Sequence, residues 1–434
     1  MQFTRRTLAG HDVFISNGFL EAGTAVVYAP TLQLLLEIKG GLGTRLASHS
    51  GPLDGELGAV SAQLASVLGN AALKSSPVRR RLHRDATVFA LSVGLTRDCS
   101  LRCVYCHAEA GEHQGRVSRE VLAGTLDHAL AAMAERNIEE LHLSFAVGGE
   151  PTYDWQLFRQ FLQTVNERAR DESIRVVKSL TTNGYYSLDH CRQIASEFDH
   201  VLLSFDGFRH IQDLHRPTLS GGGSFETVYR SAKYFATEAR SFSVRATISS
   251  ASVNLMRDLV AFFVGALGTR TDIVFEPLVS IGRATRSVVV GPPDEMAFAR
   301  NFWKAQTLGH ELGVRTMYSG FGPHRLVASF CAAMTLPSFT VTTDGVVTAC
   351  ERDCTGSDYR YGVWDAQGFS LSESALEANA QLAQVPEACE ECIAKWHCAG
   401  DCPDLRRMGY SRCRSTTWLL EKNLLRQLRA PKPE

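Results

Sequence analysis

Three thiols sit within eight residues in Cys99-Ser-Leu-Arg-Cys103-Val-Tyr-Cys106, a C-x3-C-x2-C spacing that directly follows an apolar, strand-like run. Thiolates are soft ligands suited to iron–sulfur clusters and zinc. Three of them in one loop can hold three irons of a four-iron cubane and leave the fourth iron open. An open iron is a reactive position, because it can take a substrate or cofactor by that molecule's own polar groups. A tetrahedral structural zinc is the alternative, and it would need a fourth protein ligand such as His107. The chain has twelve cysteines. Eleven of them fall in two clusters, and with no export signal to call for disulfides, metal or redox chemistry is the better reading. The twelfth, Cys191, lies in a helical stretch and reads as apolar packing.

The second cluster is spread more widely. Cys331-x13-Gly345-x4-Cys350 is followed, after a gap, by Cys389-x2-Cys392-x5-Cys398-x3-Cys402 and then by Cys413. Cys354 stands four residues past Cys350. C-x2-C pairs also serve zinc, so spacing alone leaves open a zinc-ribbon-like module with two four-ligand zincs.

Such ligands need a rigid frame. From about Thr87, strand-like runs occur at Val88 to Leu95, Glu140 to Val147, Arg175 to Thr182, His200 to Phe205, Ser243 to Ser249 and Asp272 to Val279. Amphipathic helices lie between them, at Ser118 to Arg136, Trp155 to Asp171, Leu188 to Phe198 and Ser224 to Glu238, with Ser118 as an N-cap. Six βα units predict an α/β fold on a parallel sheet, rolled by right-handed crossovers into a partial (βα)6 barrel. Function in such folds gathers at the C-terminal ends of the strands. Gly148-Gly149-Glu150-Pro151 follows the second strand. Thr182-Asn183-Gly184 ends the third, Ser204-Phe205-Asp206-Gly207 ends the fourth, and Arg245 lies on the fifth. Singly these are ordinary: Gly-Gly and Asn-Gly make turns, Ser204 and Asp206 could cap a helix, and Arg245 could be a surface ion pair. Their succession along neighbouring strands is the informative feature.

Residues 1–85 read as a small α/β appendage. β-like stretches at Asp12 to Ser16 and Ala25 to Leu36 flank a turn-rich Gly18 to Gly23, and a helix spans about Glu56 to Leu73 with Leu57, Val60, Leu64 and Leu68 on one face. The basic run Arg79 to Arg84 reads as a solvated linker or as a docking strip for an acidic peptide. After about Met317 helical signal returns only at Leu371 to Leu382 and Ser415 to Leu428, and the segment reads as a module held together by its cysteines. The expected division is therefore 1–85, 86–316 and 317–434.

A hydrophobic fraction of 44% against 21% charged residues excludes a disordered chain. Forty-five Lys and Arg against forty-six Asp and Glu give no global pull toward nucleic acid or an anionic membrane. No apolar run is long enough to cross a bilayer, and Met1 to Arg6 leads into mixed sequence rather than a signal core. The expectation is a cytoplasmic protein with neither nucleic acid nor membrane as a partner.

The triad and the strand-end segments together resemble the radical S-adenosylmethionine (SAM) superfamily. The later cysteines match the seven-cysteine SPASM pattern, so the likeness to radical SAM enzymes with a C-terminal SPASM domain covers about residues 87–414. It implies that Cys99, Cys103 and Cys106 hold a SAM-binding [4Fe–4S] cluster and that the backbone of Gly148, Gly149 and Glu150 meets the methionyl amino group. It further implies ribose- and carboxylate-side contacts from Thr182, Asn183, Ser204 and Asp206, a carboxylate partner in Arg245, and Tyr105 packed near the adenine. Two auxiliary [4Fe–4S] clusters would follow: one on Cys389, Cys392, Cys398 and Cys413, the other on Cys331, Cys350 and Cys402. Residues 320–330 hold no cysteine for the latter's fourth position, which is left to Cys354, to a non-cysteine ligand or to an open iron. Glu351 follows Cys350 where sulfatase-maturing relatives carry a catalytic Asp, which makes it the candidate base; an exposed turn carboxylate is the plain alternative. His210, Asp213, His215 and Arg216 read as a lid loop over the barrel mouth.

The activity this implies is a maturase that cleaves SAM reductively and uses the 5′-deoxyadenosyl radical to abstract hydrogen from a ribosomally synthesised peptide, leaving a thioether or another crosslink to carbon. Its partners would be a precursor peptide with a leader, for which residues 1–85 are the expected recognition domain, and a one-electron reductant such as flavodoxin or ferredoxin. A sulfatase-type maturase forming formylglycine is the alternative within enzymes. A non-catalytic iron–sulfur or zinc protein is the alternative outside them.

Overall fold

The computed structural model describes residues 3–8, 10–17, 24–39, 45, 55–72, 87–322, 326–331, 333–334 and 338–430. Two compact units result. One joins Met1–Arg80 with Gly320–Phe330 and Ala383–Glu434; the other joins Arg81–Ser319 with Cys331–Leu382.

The first unit opens with strands β1 (Phe3–Leu8), β2 (His11–Asn17), β3 (Ala25–Ala29) and β4 (Leu34–Ile38), an antiparallel meander in chain order. Two β stretches are legible in the sequence and four are formed. In β1 the basic pair of Thr4-Arg5-Arg6-Thr7 hides the apolar alternation. Ala25 to Leu36 is broken by a 3-10 turn at Pro30–Leu32 that ends on Gln33 with φ 51°, because Pro30 has no N–H to give a ladder. The helix Gly55–Ala72 places Leu64 and Leu68 against Val13, Ile15, Val27 and Leu32. The Gly18 to Gly23 turn, the Arg79 to Arg84 run and the side chains of Leu57 and Val60 lie outside the described residues.

The second unit carries β5 (Val88–Val93), β6 (Glu140–Phe145), β7 (Arg175–Thr182), β8 (His200–Ser204), β9 (Phe242–Ile248) and β10 (Asp272–Pro277), parallel and in sequence order. A short β11 (Thr316–Met317) extends the β10 side. On the other flank β12 (Ser338–Val341) pairs in parallel with β5, and β13 (Val346–Thr348), β14 (Arg360–Asp365) and β15 (Gly368–Leu371) continue antiparallel, so the sheet is open and has eleven strands. These last strands depart from the sequence expectation of helices and cysteines alone beyond Met317. They are short and rich in Ser, Thr and Gly, which leaves little periodicity to read.

Helices return the chain between the parallel strands, several with the caps their sequence announces. Ser118 Oγ accepts from Val121 N at 3.2 Å, Asp154 Oδ1 from Leu157 N at 3.1 Å and Asp294 Oδ1 from Ala297 N at 2.7 Å. The two faces of the sheet differ sharply. Leu91, Leu143, Phe145, Leu203, Val244 and Phe275 are all buried, and Phe145 meets Phe158, Phe161 and Phe198 from the helical layer. The alternate positions carry Ser92, Ser144, Ser179, Thr181, Ser204, Ser243, Arg245 and Glu276, most of them only partly buried. A parallel sheet is ordinarily apolar on both faces, so a face this polar is unlike a packed core. Among the described residues no helix is long and apolar enough to cross a membrane.

Candidate active site

The loop after β5 carries the first three cysteines, and arginines fix its backbone. Arg102 Nη1 donates to the carbonyls of Cys99 and Leu101 at 2.7 and 3.0 Å, and Arg283 Nη1 to that of Cys103 at 2.8 Å. Arg283 N reaches the Cys106 carbonyl at 3.0 Å. Gly282 before it has φ +50°, and a Cβ there would lie 2.5 Å from His107 O and 2.6 Å from Cys106 O, so only glycine allows this approach. Desolvation, reinforced by the neighbouring cysteines, pushes the Cys99 thiol up to about 12; desolvation pushes Cys103 up to about 11. Cys99 and Cys103 resist ionising side by side, and a cationic metal centre would remove that repulsion, so with Cys106 in the same loop the donor set suits one.

The segment after β6 presses against this loop. Gly149 N donates to Thr96 O at 2.7 Å and Glu150 N to Asp98 O at 2.9 Å. A Cβ on Gly149 would stand 2.0 Å from Asp98 O, and Gly148 has φ +83°. The Glu150 side chain is buried and accepts from Thr152 Oγ1 at 2.7 Å, Thr182 Oγ1 at 2.8 Å and Asn183 N at 2.8 Å. Burial raises its pKa while these hydrogen bonds oppose the shift. Asn183 Nδ2 in turn reaches Ser100 Oγ at 3.1 Å and Cys99 Sγ at 3.5 Å. Glu150, Thr182 and Asn183 thus brace the glycine ledge against the cysteine loop. Glycine at 148 and 149 lets this ledge lie directly on the backbone of Thr96 and Asp98.

Asp206, 1% exposed, is a second brace. Oδ1 accepts from Thr247 N at 2.8 Å and Arg216 Nη2 at 3.2 Å; Oδ2 faces Arg216 Nε and His215 Nδ1, both at 3.0 Å, and the Tyr105 hydroxyl. Its carboxyl is held well below the ordinary range by the Arg216 and His215 partners despite burial. His215 and Arg216 are therefore buried pillars rather than lid residues; nothing in their spacing distinguishes the two. Ser204 stands beside Arg245 in register across β8 and β9. Burial lowers the Arg245 pKa, with Glu276 and Glu351 opposing.

Glu351 is exposed toward the sheet and accepts from Ser144 Oγ at 3.2 Å. Nearby, Cys354 Sγ lies 3.8 Å from His107 Nε2, and desolvation pushes the Cys354 thiol up to about 11, with Cys106 and Asp353 adding to the shift. The turn bearing it is pinned by Asp353, which accepts from Thr348 Oγ1 at 3.0 Å and from Ser357 N and Tyr359 N at 2.9 Å. Sequence spacing groups Cys354 with Cys350; the fold turns it toward Cys106. Arg102, Arg216, Arg283 and Ser144 had no readable signal, since their partners are loop carbonyls, a sulfur and a distant carboxylate.

In the first unit, burial raises the Cys389 thiol with Cys392 and Cys413 as contributors, and pushes Cys398 up to about 12 with Cys413 and Cys392 again among the causes. These four are electrostatic neighbours, as an interleaved ligand set requires. Asp401 and Arg412 form a buried ion pair between Cys398 and Cys413 in sequence. Cys402 belongs to this unit, and Cys331 and Cys350 to the other. Cys191 is buried in its helix.

Residues 93–245 match the Radical SAM superfamily. The chain is 26% identical over 170 residues to the cysteine-type anaerobic sulfatase-maturating enzyme of Clostridium perfringens, over 38% of this chain and 45% of that enzyme, so it spans under half the length of this relative. Among solved structures it resembles anSMEcpe with bound AdoMet and the Cp18Cys peptide, with a TM-score of 0.60 and 20% identity over 78% of this chain and 96% of that one. It also resembles Streptococcus suis SuiB bound to the precursor peptide SuiA, with a TM-score of 0.54 and 12% identity over 95% and 98% of the two chains. At such identities these two likenesses speak for the fold. Residues 93–245, which carry the cysteine triad and the strand-end segments, thus form a Radical SAM domain, with a cysteine-rich sequence after it.

Proposed function

We propose that this enzyme is a maturase that modifies a ribosomally synthesised peptide, installing a thioether or another oxidative crosslink to carbon. The observation that carries the proposal is the polar, partly accessible face of the β5–β10 sheet, which ends beneath the Cys99–Cys106 loop. A face bearing Ser144, Ser179, Thr181, Arg245 and Glu276, all partly exposed, offers hydrogen-bonding groups to an extended backbone rather than an apolar slot for a small molecule. That similar folds are solved with a Cp18Cys peptide and with a precursor peptide agrees with this reading.

Cys99, Cys103 and Cys106 would hold a [4Fe–4S] cluster, and Gly148, Gly149, Ser204, Arg245 and Tyr105 would line the SAM site, with Glu150, Thr182, Asn183 and Asp206 keeping that lining in place. When bound, the cluster and SAM supply a 5′-deoxyadenosyl radical that takes hydrogen from an unactivated carbon. Arg245 supplies a cation for a carboxylate and the Gly148–Gly149 ledge a close backbone approach. Glu351, held by Ser144 at 3.2 Å, accepts the proton released as the substrate is oxidised. Cys389, Cys392, Cys398 and Cys413 would hold one auxiliary cluster, and Cys331, Cys350 and Cys402 another. The pinned turn that aims Cys354 at His107 favours leaving the fourth position of the latter open. A flavodoxin or ferredoxin would deliver the electron, and the N-terminal sheet would receive the leader of the precursor as an added strand.

Iron, sulfide and zinc content of anaerobically purified protein tests the ligand assignment. About twelve irons per chain, falling to about eight in a Cys99/Cys103/Cys106→Ala variant, is expected; four irons with two zincs would remove the auxiliary clusters. The second reading, a sulfatase-type maturase, is favoured by Glu351 following Cys350 and by the likeness to the clostridial enzyme. Mass spectrometry separates the two, since a crosslink removes two hydrogens and leaves no aldehyde, whereas formylglycine reacts with a carbonyl probe.

A further inference from the structure

Arg216 points three ways from one buried position. Nε and Nη2 form a bidentate fork on Asp206 at 3.0 and 3.2 Å. The guanidinium lies 5.3 Å from the centre of the Tyr105 ring. The remaining nitrogen, Nη1, is 3.9 Å from Cys103 Sγ. Asp206 is itself fixed by Thr247 N, His215 Nδ1 and the Tyr105 hydroxyl, so the cation has almost no freedom to turn away. A buried ion pair is seldom needed for stability, because an apolar replacement of like volume commonly serves as well. What this one does achieve is a positive charge, shielded from solvent and salt, at a fixed distance from one sulfur.

We infer that Arg216 is a positioning residue for the Cys103 ligand: held by Asp206, its guanidinium donates to the Cys103 sulfur and favours the reduced state of the cluster on Cys99, Cys103 and Cys106. The inference rests on the reading of those cysteines as cluster ligands. Reduction adds a negative charge to the cluster, and both a hydrogen bond to a ligand sulfur and a fixed nearby cation stabilise that charge, which raises the reduction potential. Arg102 and Arg283 differ in kind, since their guanidinium groups bond loop carbonyls and acidic side chains.

The test is a mediated reductive titration of the anaerobic full-length protein, followed by electron paramagnetic resonance, with iron content measured alongside. The triad cluster is identified as the signal that changes when SAM is added. Arg216→Gln is expected to keep wild-type iron but to be about tenfold less reduced, as the ratio of reduced to oxidised cluster, at the potential that half-reduces the wild type. Arg216→Lys, which keeps the charge but not the fork on Asp206, should show a smaller fall, about threefold. A full iron complement with the wild-type midpoint in Arg216→Gln overturns the inference. If that variant loses iron, the smaller fall in Arg216→Lys supports the inference, and a wild-type or raised midpoint in Arg216→Lys overturns it. Iron content that the triple Cys→Ala substitution leaves unchanged would instead remove the ligand reading, and this inference with it.

Discussion

Trp396 Nε1 donates to Asp12 Oδ2 at 2.9 Å, tying the second strand of the N-terminal sheet to a residue two places before Cys398. Arg5 Nε and Nη2 hold the other oxygen at 2.9 and 2.7 Å, and Tyr28 pairs with His397 in the same region. The sheet is therefore a footing for the segment that carries Cys389, Cys392 and Cys398. Asp12→Ala leaves the indole N–H unmatched and Arg5 with only its Glu391 and Glu390 partners, a cost of about 1–3 kcal/mol. Its urea midpoint should fall accordingly, and about four irons should become accessible to a chelator while the Cys99–Cys106 iron stays.

Gly149→Ala forces a methyl group against Asp98 O, where only 2.0 Å is available. Backbone on both sides cannot yield, so the ledge and the cysteine loop must part. SAM affinity measured by equilibrium dialysis is expected to drop at least about tenfold, equivalent to about 1.4 kcal/mol. Wild-type affinity would remove the ledge from the cofactor site.

Gly282→Ala tests the closure of the same loop from its other side. The added Cβ meets two carbonyls at 2.5 and 2.6 Å, and the Arg283 contacts to Cys103 O and Cys106 O must then lengthen. The expected result is a labile triad cluster, with about four of the irons lost on gel filtration and the remainder retained.

Glu351→Gln keeps the Ser144 hydrogen bond but cannot accept a proton. Reductive SAM cleavage should persist while formation of modified peptide falls by about 10²-fold or more, and Glu351→Asp should recover part of it. Equal turnover of peptide in wild type and Glu351→Gln would show that the carboxylate is a bystander.

The parallel strands and their capped helices were legible because their signals are local: an apolar run, then Ser118 or Asp154 at a helix start. The Cys99, Cys103 and Cys106 grouping is legible because its spacing lies within one short loop. What stayed hidden depends on contacts across many residues. Nothing local reveals that Arg283 closes on Cys103, 180 residues earlier, or that Arg216 turns inward to Asp206. The strands β12–β15 were hidden for another reason, since runs of three to six residues of mixed character bear too little period to detect. Cys354 shows the limit of spacing most clearly: its sequence neighbour is Cys350, yet the pinned Asp353 turn directs it to His107.

The parallel pairing of β12 with β5 bears on how far the chain can be shortened. A protein ending at residue 316 would keep every residue matched to the superfamily, yet it would lose the four strands that cover one side of Val88–Val93. That apolar strand would become a bare edge, with unpaired N–H and C=O groups open to any extended chain. Such a fragment should stick to itself rather than fold cleanly, so the strands of residues 338–371 serve the solubility of the sheet they extend.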